Sequence, residues 1–432
     1  MAKAFGVAIL VGALAACADA PLERENVGST VAALDTVTGF GTNPGNLTML
    51  RYSPAVMPMN APVVVALHGC TQTSAALANI GLDALADKYK FYVVYPQQNT
   101  ANNPVSCFDW WGAYNTPSDK TNVTRGKGEN LSIKQMVDKT MADFSVDRSR
   151  VYVIGFSAGA AMAAVLLAAW PDVFAAGAID AGVPYDCPST VNNDVFQCMS
   201  PGKTLAAADW AARVKNAYPG YAGAYPRVSL WQGTADHTVA TANQQELIKQ
   251  WTAVHGVSVT ATQTDVVDGY PHSTFADANH VVQVESYAIT GMDHGVAVDP
   301  AHQCGTAGQY IIDKGICSVR HMIDFFGITG AVVPTDGGSV GVDGGHVDGG
   351  AGGSLDASCC GTGHDSGIAV GGDAATDDAG AATNDACGFE ARTMSSRCGV
   401  AWARVGRGRA DAIFVATGAL LIARRRRRRG TP

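Results

Sequence analysis

Gly155-Phe156-Ser157-Ala158-Gly159 places one hydroxyl between two glycines. A serine hydroxyl attacks a carbonyl only when a base removes its proton, and a turn sharp enough to present it leaves little space for flanking side chains. The apolar run Val151 to Ile154 precedes the serine and the alanine-rich segment Ala158 to Ala169 follows it. Gly-x-Ser-x-Gly therefore falls on a strand-to-helix turn, the context in which it presents a nucleophile. There the oxygen of Ser157 stands at a helix N-terminus, where backbone N–H groups and the dipole favour developing negative charge.

Such a serine needs an acid and then a histidine further along the chain, each on a loop after a strand. Asp236, on the turn that begins at Gly233 after the strand-like run Val228 to Trp231, is the candidate acid. His294, in Gly291-Met292-Asp293-His294-Gly295 after the run Val281 to Ile289, is the candidate base. His237, His272, His280 and His302 compete for the second role and Asp265, Asp268 and Asp293 for the first; the histidines read more simply as surface or hydrogen-bonding residues. The oxyanion of a tetrahedral intermediate requires two N–H donors. Ala158 supplies one and Cys70, on the loop that follows the run Val63 to Leu67, supplies the other, with His68 as a packing residue beside the elbow.

The elements that must hold these groups lie between about Gly39 and Gly330. Short apolar runs (Val63 to Leu67, Tyr92 to Tyr95, Val151 to Ile154, Ala176 to Ile179, Val228 to Trp231) alternate with helical patterns over Ala75 to Tyr89, Ile133 to Phe144 and Ala158 to Ala169. Continuous apolar strands separated by helices predict an α/β fold, a mostly parallel sheet covered by helices on both faces, with the functional loops at the carboxyl ends of the strands.

Outside that region the composition changes. Residues 1–17 carry Lys3 and an apolar stretch ending in Leu14-Ala15-Ala16-Cys17, the layout of a secretory signal; the same four residues resemble a lipobox, in which Cys17 is lipidated. Residues 18–38 are an N-terminal spacer, and residues 331–386 a Gly/Asp-rich linker too poor in large apolar side chains to pack. In the tail, 387–432, Cys398 precedes the apolar run Ala412 to Ala423 and the arginines Arg424 to Arg429. It resembles a myxobacterial-type C-terminal sorting signal, the alternative being a tail without function. Export is thus expected, with envelope attachment through a Cys17 lipid or the C-terminal tail. The chain has a net charge of −8, and the basic tail leaves the rest more acidic still, which argues against a nucleic-acid partner. No cysteine pair has the spacing of a zinc site, and no metal or cofactor is expected.

Leu67-His68-Gly69-Cys70-Thr71-Gln72, Cys107-Phe108-Asp109-Trp110-Trp111, Arg125-Gly126-Lys127-Gly128-Glu129, the elbow, Gly182-Val183-Pro184-Tyr185-Asp186-Cys187 and Gly233-Thr234-Ala235-Asp236 together resemble the poly(3-hydroxybutyrate) depolymerase family of esterases. The family also holds feruloyl and acetylxylan esterases. The resemblance implies an α/β-hydrolase fold over residues 39–330, with Ser157 as nucleophile, Asp236 as orienting acid and His294 as base. Phe108, Trp110 and Trp111 are candidates to line the substrate cleft. Of eleven cysteines, six fall in the folded part; Cys187 with Cys198 and Cys304 with Cys317 close short loops, and Cys70 with Cys107 lie in motifs that this fold places beside one cleft. Where family members carry His-Ala-Trp, this chain has His294-Gly295-Val296, so an aromatic wall near the base is expected to be missing. The partner implied is an ester substrate, a hydroxyalkanoate oligomer or short acyl ester, with acylated plant polysaccharide as the alternative. A surface-displayed binding protein without turnover is the rival from another class.

Overall fold

The computed structural model describes residues 34–330 apart from 117 and 189–193. The signal segment, nearly all of the spacer, the linker and the sorting tail lie outside the described residues. In chain order the strands of the main sheet are β1 (Asp35–Val37), β2 (Thr48–Tyr52), β3 (Ala61–Leu67), β4 (Tyr92–Gln97), β5 (Val146–Phe156), β6 (Ala176–Asp180), β7 (Arg227–Gly233), β8 (Gln263–Val267), β9 (Tyr270–Ala276) and β10 (Val282–Ile289). They lie side by side in the order 1-2-4-3-5-6-7-10-9-8. The six central strands, 4-3-5-6-7-10, pair parallel, and an antiparallel pair extends each edge.

All seven residues of β3 are buried. Its side chains alternate, with Val63, Val65 and Leu67 entering one hydrophobic cluster and Val64 and Ala66 the other. Period-2 alternation between two covered faces is why the sequence shows an unbroken apolar run. Helices α1 (Ser74–Ala78) and α2 (Leu82–Tyr89) cover one face together with a C-terminal helix, Ser318–Phe325. The opposite face is covered by α3 (Gly128–Asp143), α4 (Ala158–Ala169), Ala207–Ala217 and Ala242–His255. α4 is buried at all twelve positions, so it needs side chains small enough to pack on every side.

Two expectations change. The single helix expected over Ala75 to Tyr89 is two helices, broken at Gly81, whose φ is 95°. A Cβ there would stand 2.7 Å from the Gly305 nitrogen, and Thr306 N–H donates to Asn79 O at 2.8 Å, so a distant loop replaces the helical bonding. The antiparallel edges also went unread, because β8 is exposed along most of its length and offers no apolar run. The sheet moreover begins at Asp35, ahead of the Gly39 boundary.

Among the described residues three disulfides form, Cys70–Cys107, Cys187–Cys198 and Cys304–Cys317, the pairs expected from sequence. Bridges of this loop length each contribute roughly 2–4 kcal/mol of stability.

The edge β8–β9 is pinned by a charged cluster. His272 on β9 sits between Asp265 on β8, 2.8 Å from its Nδ1, and Glu285 on β10, 3.4 Å from its Nε2. Burial opposes the imidazolium, but the hydrogen bonds and charges of Glu285 and Asp265 outweigh it and hold His272 above its ordinary value of 6.5. The folded state thus retains a proton that the unfolded chain has released, so this stabilisation is fully present below pH 6.5 and is lost as pH rises through the raised folded value. His272→Gln is therefore expected to flatten the melting temperature's decline from pH 6.5 upward; an unchanged slope would remove the assignment.

Candidate active site

β5 ends at Phe156, and Ser157 follows with φ 57° and ψ −120°, a strained conformation for a residue with a Cβ. The strain is held by neighbours: Ser157 N–H donates to Asp180 O at 2.9 Å, and Ala161 N–H donates to Ser157 O at 3.0 Å. Both flanking glycines are required by space. A Cβ on Gly155 would lie 2.2 Å from Gly159 O, and one on Gly159 would lie 2.2 Å from Leu67 O. The turn is thereby pressed against the end of β3, the neighbouring strand that carries the oxyanion loop.

His294 Nε2 lies 2.9 Å from Ser157 Oγ, and His294 Nδ1 lies 2.8 Å from Asp236 Oδ2. The Asp236 carboxylate is saturated: Oδ1 accepts from the N–H groups of Thr238 and Val239, both at 2.8 Å, and Oδ2 accepts also from Gln232 Nε2 at 2.9 Å. An acceptor held in this way makes His294 carry its proton on Nδ1, leaving Nε2 as the acceptor that faces the serine. Asp236 stands on the turn after β7, and His294 on the loop after β10, the two loops brought together because β7 and β10 pair in parallel. Met292 O receives Ala235 N–H at 2.9 Å and locks one loop to the other.

The competing residues are used elsewhere. Asp293 Oδ1 accepts from the N–H groups of His237 and His294, at 3.0 and 2.8 Å. His321 Nε2 contacts Asp268 at 2.8 Å, Asp265 serves His272, and the exposed His302 pairs with Asp299. His280 is exposed in a turn of positive φ.

Cys70 and Ala158 both line the small pocket beside Ser157, with Trp110, Ala161, Ala181, Gly182, Val183, Met199 and Val239. Ala158 is the first residue of α4, so its N–H has no partner within the helix. The Cys70 loop is fixed by its disulfide, by Thr71 N–H donating to Val105 O at 2.7 Å and by Gly69 N–H donating to Gln72 Oε1 at 2.9 Å. His68 is wholly buried, which lowers its pKa to about 4. It is neutral and structural, its Nδ1–H donating to Gly69 O at 2.7 Å while Nε2 accepts from Gln98 N–H at 3.1 Å.

Of the aromatic trio, Trp110 alone lines this pocket. Phe108 is fully buried with its ring 4.9 Å from that of His68, and Trp111 packs edge-on against Trp110. The expected lack of an aromatic near the base is also corrected. The rings of Phe156 and Tyr310 lie 4.9 and 6.1 Å from that of His294, and Tyr310 comes from a loop far along the chain, invisible to local spacing. Gln232, four residues before Asp236 at the end of β7, was missed although its position offered a signal. Asp180, at the end of β6, was missed as well. Both its carboxyl oxygens are buried without a partner among the described residues, and burial, reinforced by the charge of Asp236, pushes its pKa far up.

A parallel-centred sheet with a serine elbow, an acid after a later strand and a histidine after the next parallel one defines a serine hydrolase of the α/β-hydrolase fold. Residues 48–267 match the family described as Esterase PHB depolymerase. The chain is 50% identical over 314 residues to poly(3-hydroxyalkanoate) depolymerase C of Paucimonas lemoignei, covering 72% of this chain and 74% of that one. It is 34% identical over 306 residues to feruloyl esterase B of Talaromyces stipitatus, covering 69% and 77%. Its fold resembles that of acetyl xylan esterase from Aspergillus awamori at a TM-score of 0.57 and 27% identity, covering 68% of this chain and 99% of that one. The chain belongs to the Esterase PHB depolymerase family and is a carboxylic ester hydrolase.

Proposed function

We propose that Ser157, His294 and Asp236 hydrolyse short acyl esters and hydroxyalkanoate oligomers through an acyl-enzyme. The observation that carries this reading is the continuous chain from Ser157 Oγ through His294 to Asp236, at 2.9 and 2.8 Å, opening on a small apolar pocket. His294 Nε2 takes the serine proton as Oγ adds to the ester carbonyl, and the N–H groups of Cys70 and Ala158 receive the oxyanion. Collapse of the intermediate breaks the ester C–O bond, and the imidazolium returns its proton to the leaving alcohol. Water, deprotonated by the same nitrogen, then releases the acid and restores Ser157. Asp236 holds the imidazole in the required tautomer and offsets its transient charge.

Ala158, Ala161, Ala181 and Val183 line a pocket suited to a short acyl group, and the relative named for poly(3-hydroxyalkanoate) favours a hydroxyacyl ester. Turnover of p-nitrophenyl esters is expected to be fastest at acetate to butyrate and to decline steeply toward octanoate, with release from hydroxybutyrate oligomers and little clearing of a crystalline polymer suspension. A rate that rises toward octanoate contradicts the pocket assignment. The likeness to acetyl xylan esterase favours a second reading, acetyl groups on plant polysaccharide; acetylated xylan outperforming every hydroxybutyrate ester by a wide margin establishes it.

Three disulfides favour an oxidising destination, in keeping with export under residues 1–17. Among the described residues no helix is long and apolar enough to cross a membrane. Attachment to the envelope would run through Cys17 or the tail, and fractionation of cells producing Cys17→Ser distinguishes these routes from release.

A further inference from the structure

Hydrolysis at Ser157 leaves the motif Arg125-Gly126-Lys127-Gly128-Glu129 without a task. Arg125 is committed to structure, since its guanidinium lies between the rings of Trp170 and Tyr218, at 4.0 and 3.9 Å, and pairs with Asp172. Glu129 is different. It sits in the first turn of α3 with its side chain fully buried, and each carboxyl oxygen reaches a different wall of the active site. Oε1 accepts from Gln98 Nε2 at 2.6 Å, and Gln98 N–H in turn donates to His68 Nε2, at the base of the oxyanion loop. Oε2 accepts from Asp109 N–H at 2.8 Å, the peptide that leads into Trp110. Asn103 Nδ2 holds the Asp109 carboxyl at 2.8 Å, while Asn102 Nδ2 and Asn99 N–H hold Gln98 Oε1 at 2.6 and 2.9 Å.

We infer that Glu129 is a positioning residue for ester hydrolysis, one buried carboxyl that sets the oxyanion loop through Gln98 and His68 and the acyl wall through Asp109 and Trp110. The inference rests on the proposed hydrolysis at Ser157. Its backbone is clamped for the purpose. Glu129 N–H donates to Asn122 Oδ1 at 3.0 Å, and a Cβ on Gly45 would stand 2.5 Å from Glu129 Cα. Burial drives the carboxyl well above its usual range and the neighbouring Asp109 adds to the rise, and glutamine keeps the shape of the side chain. Glutamine nevertheless cannot serve both arms. Both partners donate, and an amide offers one acceptor and one donor. Gln98 cannot turn its amide to compensate, because its own oxygen already receives two N–H groups.

The test compares Glu129→Gln, Gln98→Ala and Asn103→Ala with the wild type and with Asp138→Asn, a change at the exposed Asp138 on the same helix. Purified proteins are titrated with a fluorophosphonate to count competent sites, and kcat and KM are then measured per competent site for p-nitrophenyl acetate and butyrate. Glu129→Gln is expected to lower kcat about 10- to 100-fold, the scale of small misplacements of catalytic groups, and to alter the butyrate-to-acetate ratio of kcat/KM. Gln98→Ala, which frees only the oxyanion arm, should lower kcat at an unchanged ratio. Asn103→Ala frees the acyl arm at Asp109 and also removes the acceptor of Val105 N–H, and should move the ratio more than kcat. Wild-type kcat and ratio per competent site in Glu129→Gln would overturn the inference, whatever the melting temperature. If Glu129→Gln yields no folded protein, the two single-arm variants decide, and identical effects from both would overturn it. A wild-type enzyme without turnover or labelling sinks the proposed function itself, whereas an active wild type beside indifferent variants sinks this inference alone.

Discussion

Replacing Ser157 by alanine is expected to lower kcat/KM for p-nitrophenyl acetate by about 10³-fold or more while the protein remains folded. The substitution keeps the Cβ and therefore the strained turn, whose φ of 57° is held by the backbone bonds from Ser157 N–H to Asp180 O and from Ala161 N–H to Ser157 O. Only Oγ is removed, with its 2.9 Å contact to His294. The remaining oxyanion donors and the pocket account for the residual rate. Near-identical circular dichroism beside lost turnover is the expected pair of results. Retention of a tenth of the wild-type rate would place the nucleophile elsewhere. His294→Ala should fall comparably, and His237→Ala should not, because its imidazole is exposed and contacts Asp293.

Asp236→Asn is expected to cost about 10³- to 10⁴-fold in kcat, the scale of a catalytic imidazole held in the wrong tautomer. Four donors converge on this carboxylate, the N–H groups of Thr238 and Val239 on one oxygen and Gln232 Nε2 and His294 Nδ1 on the other. An amide must direct its NH₂ at one pair or the other. Directed at His294 it donates to Nδ1, moves the imidazole proton to Nε2 and removes the base from Ser157 Oγ. Directed at the turn it faces two backbone donors and weakens the loop, an effect of about 1–3 kcal/mol that the melting temperature reports. Asp180 is poorly suited to substitute as the charged partner, since burial and the charge of Asp236 raise its pKa well above the usual carboxylate range. Turnover within an order of magnitude of the wild type would show that the carboxylate does not orient the histidine.

Much of this candidate site is legible in the sequence. Gly155-Phe156-Ser157-Ala158-Gly159 announces its turn because the glycines are demanded by local geometry, and the strands on either side are buried on both faces and so appear as unbroken apolar runs. Asp236 and His294 follow from chain order, since a parallel sheet gathers the loops at its carboxyl edge. Cys187 with Cys198 and Cys304 with Cys317 are candidate pairs because they close short loops, although spacing by itself does not fix connectivity.

Tertiary structure decided what local spacing cannot carry. The break at Gly81 exists because the loop at Gly305 packs into it, and the edge strand β8 is polar and exposed, so neither leaves a periodic trace. Phe108 and Trp110 share one motif and are both buried, yet Trp110 lines the pocket while Phe108 packs against His68. Tyr310 reaches His294, Asp180 comes to lie near Asp236, and Glu129 joins two walls, each through packing between segments distant in the chain. The sequence by itself determines which groups can react and in what order they meet the strand ends, because those are properties of residue type and period. Which groups support them is set only when the sheet closes and brings distant residues within hydrogen-bond reach.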